Sequence, residues 1–374
     1  MDERLIQALR LLPDRLAWHV TLSACALALA CLVSLPLAVA AHRNARLRGP
    51  LLGLASVVQT IPSLALLALF YPLLLGVSKL TGLGFSALGF LPSLLALSLY
   101  AMLPLLRNGA AALAGIDPAA LEAADGVGMT RRQRLEMVEL PLAAPVIMAG
   151  VRTASVWTIG AATLATPIGQ TSLGDYIFSG LQTENWIDVL VGVVASALLA
   201  LAVDQILAVI ERGLTDRRKR SQIKIGLGAL AVLVLATVSP LFSSVSGSAY
   251  VVGAKNFSEQ YILTELMAAR LEKAHASVSR KMNLGSTVAY SAVASGDIDV
   301  YVDYSGTLWT NVLGRTDNPG REELLRQLTA ELKARDGVTV LGALGFENAY
   351  ALAMRREAAQ RLGIKSLTDM SLVA

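Results

Sequence analysis

Two ionisable residues stand inside apolar runs of this chain: Arg152 within 145–167 and Asp204 within 186–210. A charge in lipid is expensive and is normally paired or set in a wet cavity. Arg152 follows Pro145 by seven residues and Asp204 precedes Glu211 by seven, so each lies about 10 Å in from the same end of its span. Matched depth and opposite sign predict an intramembrane ion pair; the alternative is that each side chain snorkels separately to the interface. A second group is polar and falls between spans: Glu122-Ala123-Ala124-Asp125-Gly126-Val127-Gly128, then Val138-Glu139-Leu140-Pro141. Asp117 suits a helix cap and Pro118 a first turn. Gly126 and Gly128 stop that helix and permit a sharp turn. Thr130-Arg131-Arg132-Gln133 has the pattern of a capping box. The second helix is expected to run to Leu140, with Pro141 starting a break. Residues 117–141 thus read as two short helices joined by glycines. They form either a knob that a partner's groove could receive or a plain surface hairpin.

Other chemistry is missing from the sequence. No G-x-x-x-x-G-K-[ST] occurs, so the chain carries no phosphate loop, and any ATPase must be another polypeptide. His19, His42 and His275 are scattered without metal-ligand spacing. Cys25 and Cys31 are six residues apart on one helix, about 9 Å of rise, too far for a disulfide. They read as packing residues. No cofactor, metal or catalytic constellation is expected, so the chain does not read as an enzyme.

The elements that position these residues follow from composition. Of 374 residues only 16% are charged, and the mean hydropathy is +0.56. Much of the chain therefore sits in lipid. Six spans are expected, at 18–41, 51–77, 85–106, 145–167, 186–210 and 225–243, each near the ~20 residues a bilayer needs. Gln59-Thr60-Ile61-Pro62-Ser63 interrupts the second, as a kink that lines a solute path or one that only serves packing. The basic residues set the orientation. Arg43, Arg46 and Arg48, then Arg107, Arg131, Arg132 and Arg134, then Arg212, Arg217, Arg218, Lys219, Arg220 and Lys224 fall on one side. Arg4, Arg10, Arg15 and Lys79 fall on the other. The Glu122 loop is thereby cytoplasmic, and the N-terminus and everything after 245 face outside. The pI near 9.1 reflects these membrane anchors rather than nucleic-acid binding. Segment 168–185, which has no Lys or Arg, reads as a short amphipathic gate or a plain connector.

From Tyr250 strands and helices alternate, which predicts a mostly parallel sheet with ligands beyond the strands' carboxyl ends. Strands are expected at 250–253, 277–284, 298–302 and 338–341. Asn256 is expected to cap the helix after the first of them. The strand ends carry Lys255-Asn256-Phe257, Asn283-Gly285, Asp303-Tyr304 and Gly345-Phe346.

Several of these runs carry a family resemblance. The Glu122 run with its following Leu140-Pro141 resembles the coupling loop of bacterial ABC-importer permeases. Gln59-Thr60-Ile61-Pro62-Ser63-Leu64 and Leu140-Pro141-Leu142 resemble the permease of the glycine betaine/carnitine/choline importer family. Gly253-Ala254-Lys255-Asn256-Phe257-Ser258-Glu259-Gln260, Asn283-Leu284-Gly285-Ser286-Thr287, Asp303-Tyr304-Ser305-Gly306-Thr307 and Gly345-Phe346-Glu347-Asn348-Ala349-Tyr350-Ala351-Leu352 resemble its binding protein. The resemblance implies an all-α permease domain over 1–245, fused to an α/β, type II periplasmic-binding-protein-like domain over 246–374. That domain reads as lobe one and the start of lobe two, incomplete at its C-terminus. The implied protein is a bacterial inner-membrane importer subunit with its binding domain outside. It would pair with a second copy and engage a dimeric cytoplasmic ATPase through Glu122, Ala123, Ala124, Gly128, Leu140 and Pro141. The implied solute is a quaternary ammonium osmoprotectant. Such a cation has no N–H to donate, so aromatic faces hold it. By similarity Tyr304 and Tyr350 are cage candidates, against the alternative that they pack the sheet edge, and Gln260, Asn256 and Thr307 are polar contacts. The competing readings are a solute receptor that transports nothing, and an importer for another small solute such as an amino acid.

Overall fold

The computed structural model describes residues 3–237, 250–347 and 352–370. Residues 1–324 and 325–374 form two compact units. The first unit begins with a helical bundle: α1 (Glu3–Arg43), α2 (Ala45–Thr60), α3 (Ser63–Thr81), α4 (Phe90–Ala114), α5 (Pro118–Gly126), α6 (Arg131–Arg134), α7 (Leu140–Ala162), α8 (Gly174–Gln182), α9 (Trp186–Thr215) and α10 (Ser221–Thr237). α1 packs on α4, α4 on α7, α7 on α9 and α9 on α10. Without a hydrophobic drive in lipid, such contacts depend on close backbone approach over small residues. A Cβ on Gly109 would meet the Ala38 Cβ at 2.8 Å, and one on Gly150 would meet the Asn108 Cβ at 2.6 Å.

Among the described residues five helical segments are long and apolar enough to cross a membrane: Glu3–Arg43, Ser63–Thr81, Phe90–Ala114, Arg131–Ile168 and Trp186–Thr215. The apolar helix Ser221–Thr237 is shorter, and the remainder of the sixth expected span lies outside the described residues. The span expected at 51–77 is two helices. Proline restricts its predecessor to extended backbone; Ile61 has ψ 127° and Pro62 ψ 133°, which ends α2 and lets Ser63 start α3. The span expected at 85–106 begins instead at Phe90, because Gly84 and Gly89 hold positive φ ahead of it, and it continues through Arg107 to Ala114.

Pro141 does not start a break. Residues 135–139 form a π-helical turn in which the Leu140 N–H donates to the Leu135 carbonyl. Pro141 then falls in the first turn of α7, where its missing N–H costs little. Residues 131–168 are therefore one unbroken helical run, about 57 Å long.

After residue 250 a three-stranded parallel sheet forms in the order β2-β1-β3, with β1 (Tyr250–Lys255) central, β2 (Val278–Leu284) and β3 (Val300–Tyr301). Helices Ser258–Lys273 and Ser286–Ser295 connect the strands. No strand forms at 338–341, where one was expected, and Leu341 is 85% exposed. β3, at two residues, is shorter than the run expected there. Asn256 does not cap the first connecting helix; Phe257 occupies the cap position, without a side-chain bond.

Candidate functional site

The knob between α4 and α7 is built by local bonds. Asp117 Oδ1 accepts from the Ala119 N–H at 2.9 Å, and Pro118 takes the first turn. Gly128, at φ +79°, makes a turn that other residues resist. Thr130 and Gln133 form a complete capping box. Glu122, Ala123, Gly128, Leu140 and Pro141 are exposed, whereas Ala124 is buried. Val127 is 74% exposed and Met137 64%, so the knob presents apolar side chains. Arg134 braces it from within, donating to both Asp125 oxygens at 2.9 and 2.7 Å and to Glu139 at 2.9 Å. Sequence reasoning passed over this brace; the i, i+5 spacing of Arg134 and Glu139 becomes contact only through the π turn.

Arg152 and Asp204 meet in a two-pronged ion pair, with both donor–acceptor distances at 2.9 Å. Glu211 accepts from the same guanidinium at 2.7 Å. Its spacing of seven from Asp204 puts both carboxylates on one face of α9, a signal available in the sequence. A cavity of about 310 Å³ opens beside them, lined by Arg152, Glu211, Arg212, Thr215 and Lys219 among others.

In the sheet domain the carboxyl ends of the parallel strands bring Lys255, Asn283 and Asp303-Tyr304 to one edge. Buried Lys255 pairs with Asp303, whose other oxygen accepts from the Tyr301 hydroxyl at 2.6 Å. Burial, reinforced by the Asp303 charge, pushes the Tyr301 phenol up from its ordinary range. Asp303 also accepts from the Tyr304 N–H at 2.7 Å, so the pair fixes the backbone that carries Tyr304. The Tyr304 hydroxyl donates to Glu259, and its ring stands edge-on to Phe257 with centroids 6.4 Å apart. The Lys255 ammonium lies 5.9 Å from the Tyr304 ring centre. Gln260 is 1% exposed, and neither amide atom has a hydrogen-bond partner among the described residues. A buried amide without partners is costly. Asn256 and Thr307 are half-buried. Tyr350 lies outside the described residues. The structure thus gathers Tyr304, Lys255, Asp303 and Glu259, of which the sequence singled out Tyr304 alone as a ligand contact.

The 168–185 segment folds as a tight turn and α8. Its Asp175 accepts from the Thr166 hydroxyl at 2.8 Å. Burial pushes that carboxyl up to about 6, against the opposing pull of Arg15, Thr166, Ser172 and Lys281. Tyr176 donates to the Ala8 carbonyl at 2.5 Å, under the Arg15 guanidinium.

Comparison with known proteins covers both parts. Residues 32–216 match the binding-protein-dependent transport system inner membrane component, and residues 248–374 match the substrate binding domain of ABC-type glycine betaine transport systems. A choline transport system permease protein of Bacillus subtilis is 44% identical over 53% of this chain and 85% of its own. An ergothioneine transport permease/ergothioneine binding protein of Helicobacter pylori is 31% identical over 89% of this chain, which spans 60% of that relative's length. Among solved structures, an inward-facing methionine ABC transporter superposes with a TM-score of 0.51 at 19% identity, over 58% of this chain and all of that one. That likeness concerns the fold.

Proposed function

This chain belongs to the binding-protein-dependent transport system inner membrane component family, as a permease fused to the substrate-binding domain of an ABC importer, and from that premise we propose that its solute is a quaternary ammonium compound. The observation that carries the reading is the Tyr304 ring at the carboxyl edge of the parallel sheet; the helix after β1 adds a buried Gln260 amide with no partner among the described residues. The face suits a trimethylammonium group through its quadrupole, and the amide suits the polar end of the same solute. Choline, glycine betaine, carnitine and ergothioneine all carry that group. Asn256, Thr307 and Tyr350 complete the proposed site. The sheet domain, from residue 246, faces outside, as the distribution of basic residues implies. The knob faces the cytoplasm, where a separate ATPase dimer covers Val127 and Met137 and engages Glu122, Ala123, Ala124, Gly128, Leu140 and Pro141. Two copies of the chain form the path.

Calorimetry of the full chain in lipid nanodiscs tests the substrate class. Trimethylammonium solutes are expected to give heat and methionine none. Tyr304→Ala is expected to weaken binding about tenfold, the scale of a desolvated cation over a ring. Methionine binding as tightly as betaine, or an unchanged Tyr304→Ala, overturns the reading.

A further inference from the structure

The sheet domain meets the bundle at several places: the Ser258 hydroxyl donates to the Gln182 carbonyl at 3.1 Å, Tyr71 packs with Ala289, Ala292 and Ile298, and the end of β2 meets the turn that follows α7. The Gly285 N–H donates to the Pro167 carbonyl at 3.0 Å, at the far end of the helical run that begins at the knob. The Lys281 ammonium donates to the Gly169 carbonyl at 3.3 Å. Leu284 is fully buried in a cluster with Tyr71, Ala87 and Leu88 of the bundle. Gly169 sits at φ +80°, and a Cβ there would meet Leu88 at 3.0 Å and Leu284 at 3.2 Å. Only glycine permits both that backbone and that approach.

The end of β2 also reaches the ligand edge. Leu284 is in register with Lys255, past a bulge in the β1–β2 pairing. Within that bulge Asn283 holds φ +62° and accepts from the Tyr261 hydroxyl at 2.5 Å. Bulges re-aim side chains next to sites. Three consecutive residues thus join the Lys255–Tyr304 edge on one side and the end of α7's run on the other.

We infer that Asn283-Leu284-Gly285 is the contact through which solute occupancy of the sheet domain is passed to the pore helix. The inference rests on the importer reading above for its cargo. Its central bond can be broken by one substitution. Gly285 has φ −62° and ψ 147°, a conformation proline adopts, and its N–H serves only the Pro167 carbonyl. Its preceding residue is a strand residue, which proline tolerates. A Cβ at Gly285 has only ordinary contacts, 3.8 Å to the Pro167 oxygen and 3.9 Å to Val288. Gly285→Ala therefore keeps the bond, whereas Gly285→Pro removes the N–H and sets its ring Cδ against the Pro167 oxygen, which forces the seat open.

Two readouts decide the matter. Amide exchange of residues 163–169 in the full chain in nanodiscs reports the seat itself. Choline uptake by cells carrying the substitution reports its use. Gly285→Ala is expected to match the wild type in both. Gly285→Pro is expected to speed exchange in 163–169 about fivefold or more and to lower uptake about tenfold, while calorimetric affinity for choline stays within about twofold. Lys281→Met, which removes the second donor, shifts both readouts the same way by less. Unchanged exchange in both variants overturns the seat. Loosened exchange with uptake equal to that of Gly285→Ala overturns its role in transport. Absence of uptake by the wild type, with the exchange contrast intact, overturns the substrate reading and upholds the seat.

Discussion

Arg134 and Arg152 make the same arrangement in two solvents. Each is one guanidinium shared by two carboxylates, Asp125 and Glu139 for the first and Asp204 and Glu211 for the second. In the knob the partners differ sharply: the Asp125 side chain is 58% exposed and Glu139 3%. In the bundle both are partly buried and alike. The knob's arginine spans a wet and a dry carboxylate, so it ties a surface helix to a buried turn. The bundle's arginine ties two long helices at a single depth. Chemistry that is identical on paper therefore stiffens a small surface feature in one place and specifies helix pairing in the other.

The comparison breaks most visibly at Arg152. Arg152→Leu leaves two carboxylates unpaired in a bundle that faces lipid. Removing one partner of a buried ion pair costs about 3–5 kcal/mol, and charge in a membrane raises the stakes. The chain is expected to lose most of its folded yield in membranes, measured by size-exclusion profile after mild solubilisation. The triple change Arg152→Leu, Asp204→Leu, Glu211→Leu should recover much of it, since replacing a whole buried charge cluster by apolar residues is often neutral. A well-behaved single variant would show that the three groups are solvated separately by the adjoining cavity.

Arg134→Gln is expected to be milder and different in kind. The knob keeps its capping box, its Asp117 cap and its Gly128 turn. Folding yield should fall in part, because Glu139, 3% exposed, keeps only a neutral amide as its partner, while transport per folded molecule falls about fivefold, on the scale of losing charge-assisted bonds that hold one geometry. Added salt should mimic the variant in part, because the Asp125 half of the brace is exposed and screened. Transport equal to the wild type would place the brace outside coupling.

The two clusters also show what the sequence could convey. The capping box and the proline-led helix are encoded within four residues, so they are legible by inspection. The Arg152–Asp204 meeting was legible because a membrane reduces position to depth and sign. Glu211 was visible as a residue and unread as a partner, although a spacing of seven places it on Asp204's face. Pro141 misled, because whether a proline breaks a helix depends on where the hydrogen-bond register shifts, and the π turn that shifts it has no local signature. The strand ends at 255 and 303 were legible as one edge of a parallel sheet, but the Lys255–Asp303 pair needs the register of β1 against β3. The seat of Gly285 on Pro167 joins residues more than a hundred positions apart, and no periodicity announces it. Tyr350 drew attention through its motif alone.

Asp175 sharpens the comparison from the opposite side, since here one carboxylate stands among cations instead of one cation among carboxylates. Arg15 and Lys281 act on it through space and Thr166 donates to it, yet burial outweighs them and its pKa rises from 3.8 to about 6. An acid whose folded pKa lies above its unfolded value adds stability in full below the unfolded pKa, and that contribution is lost as pH rises through the folded one. Stability from this group is therefore expected to fall between about pH 4 and pH 6. Asp175→Asn should flatten that part of the curve and leave the chain more stable than the wild type at pH 7, read as the midpoint of thermal unfolding in nanodiscs across pH. An unchanged slope would mean that Arg15 and Lys281 compensate Asp175 fully. The charge beside the Gly169 turn would then be paired as tightly as the two arginine clusters, and the difference between a shared cation and a shared carboxylate would vanish.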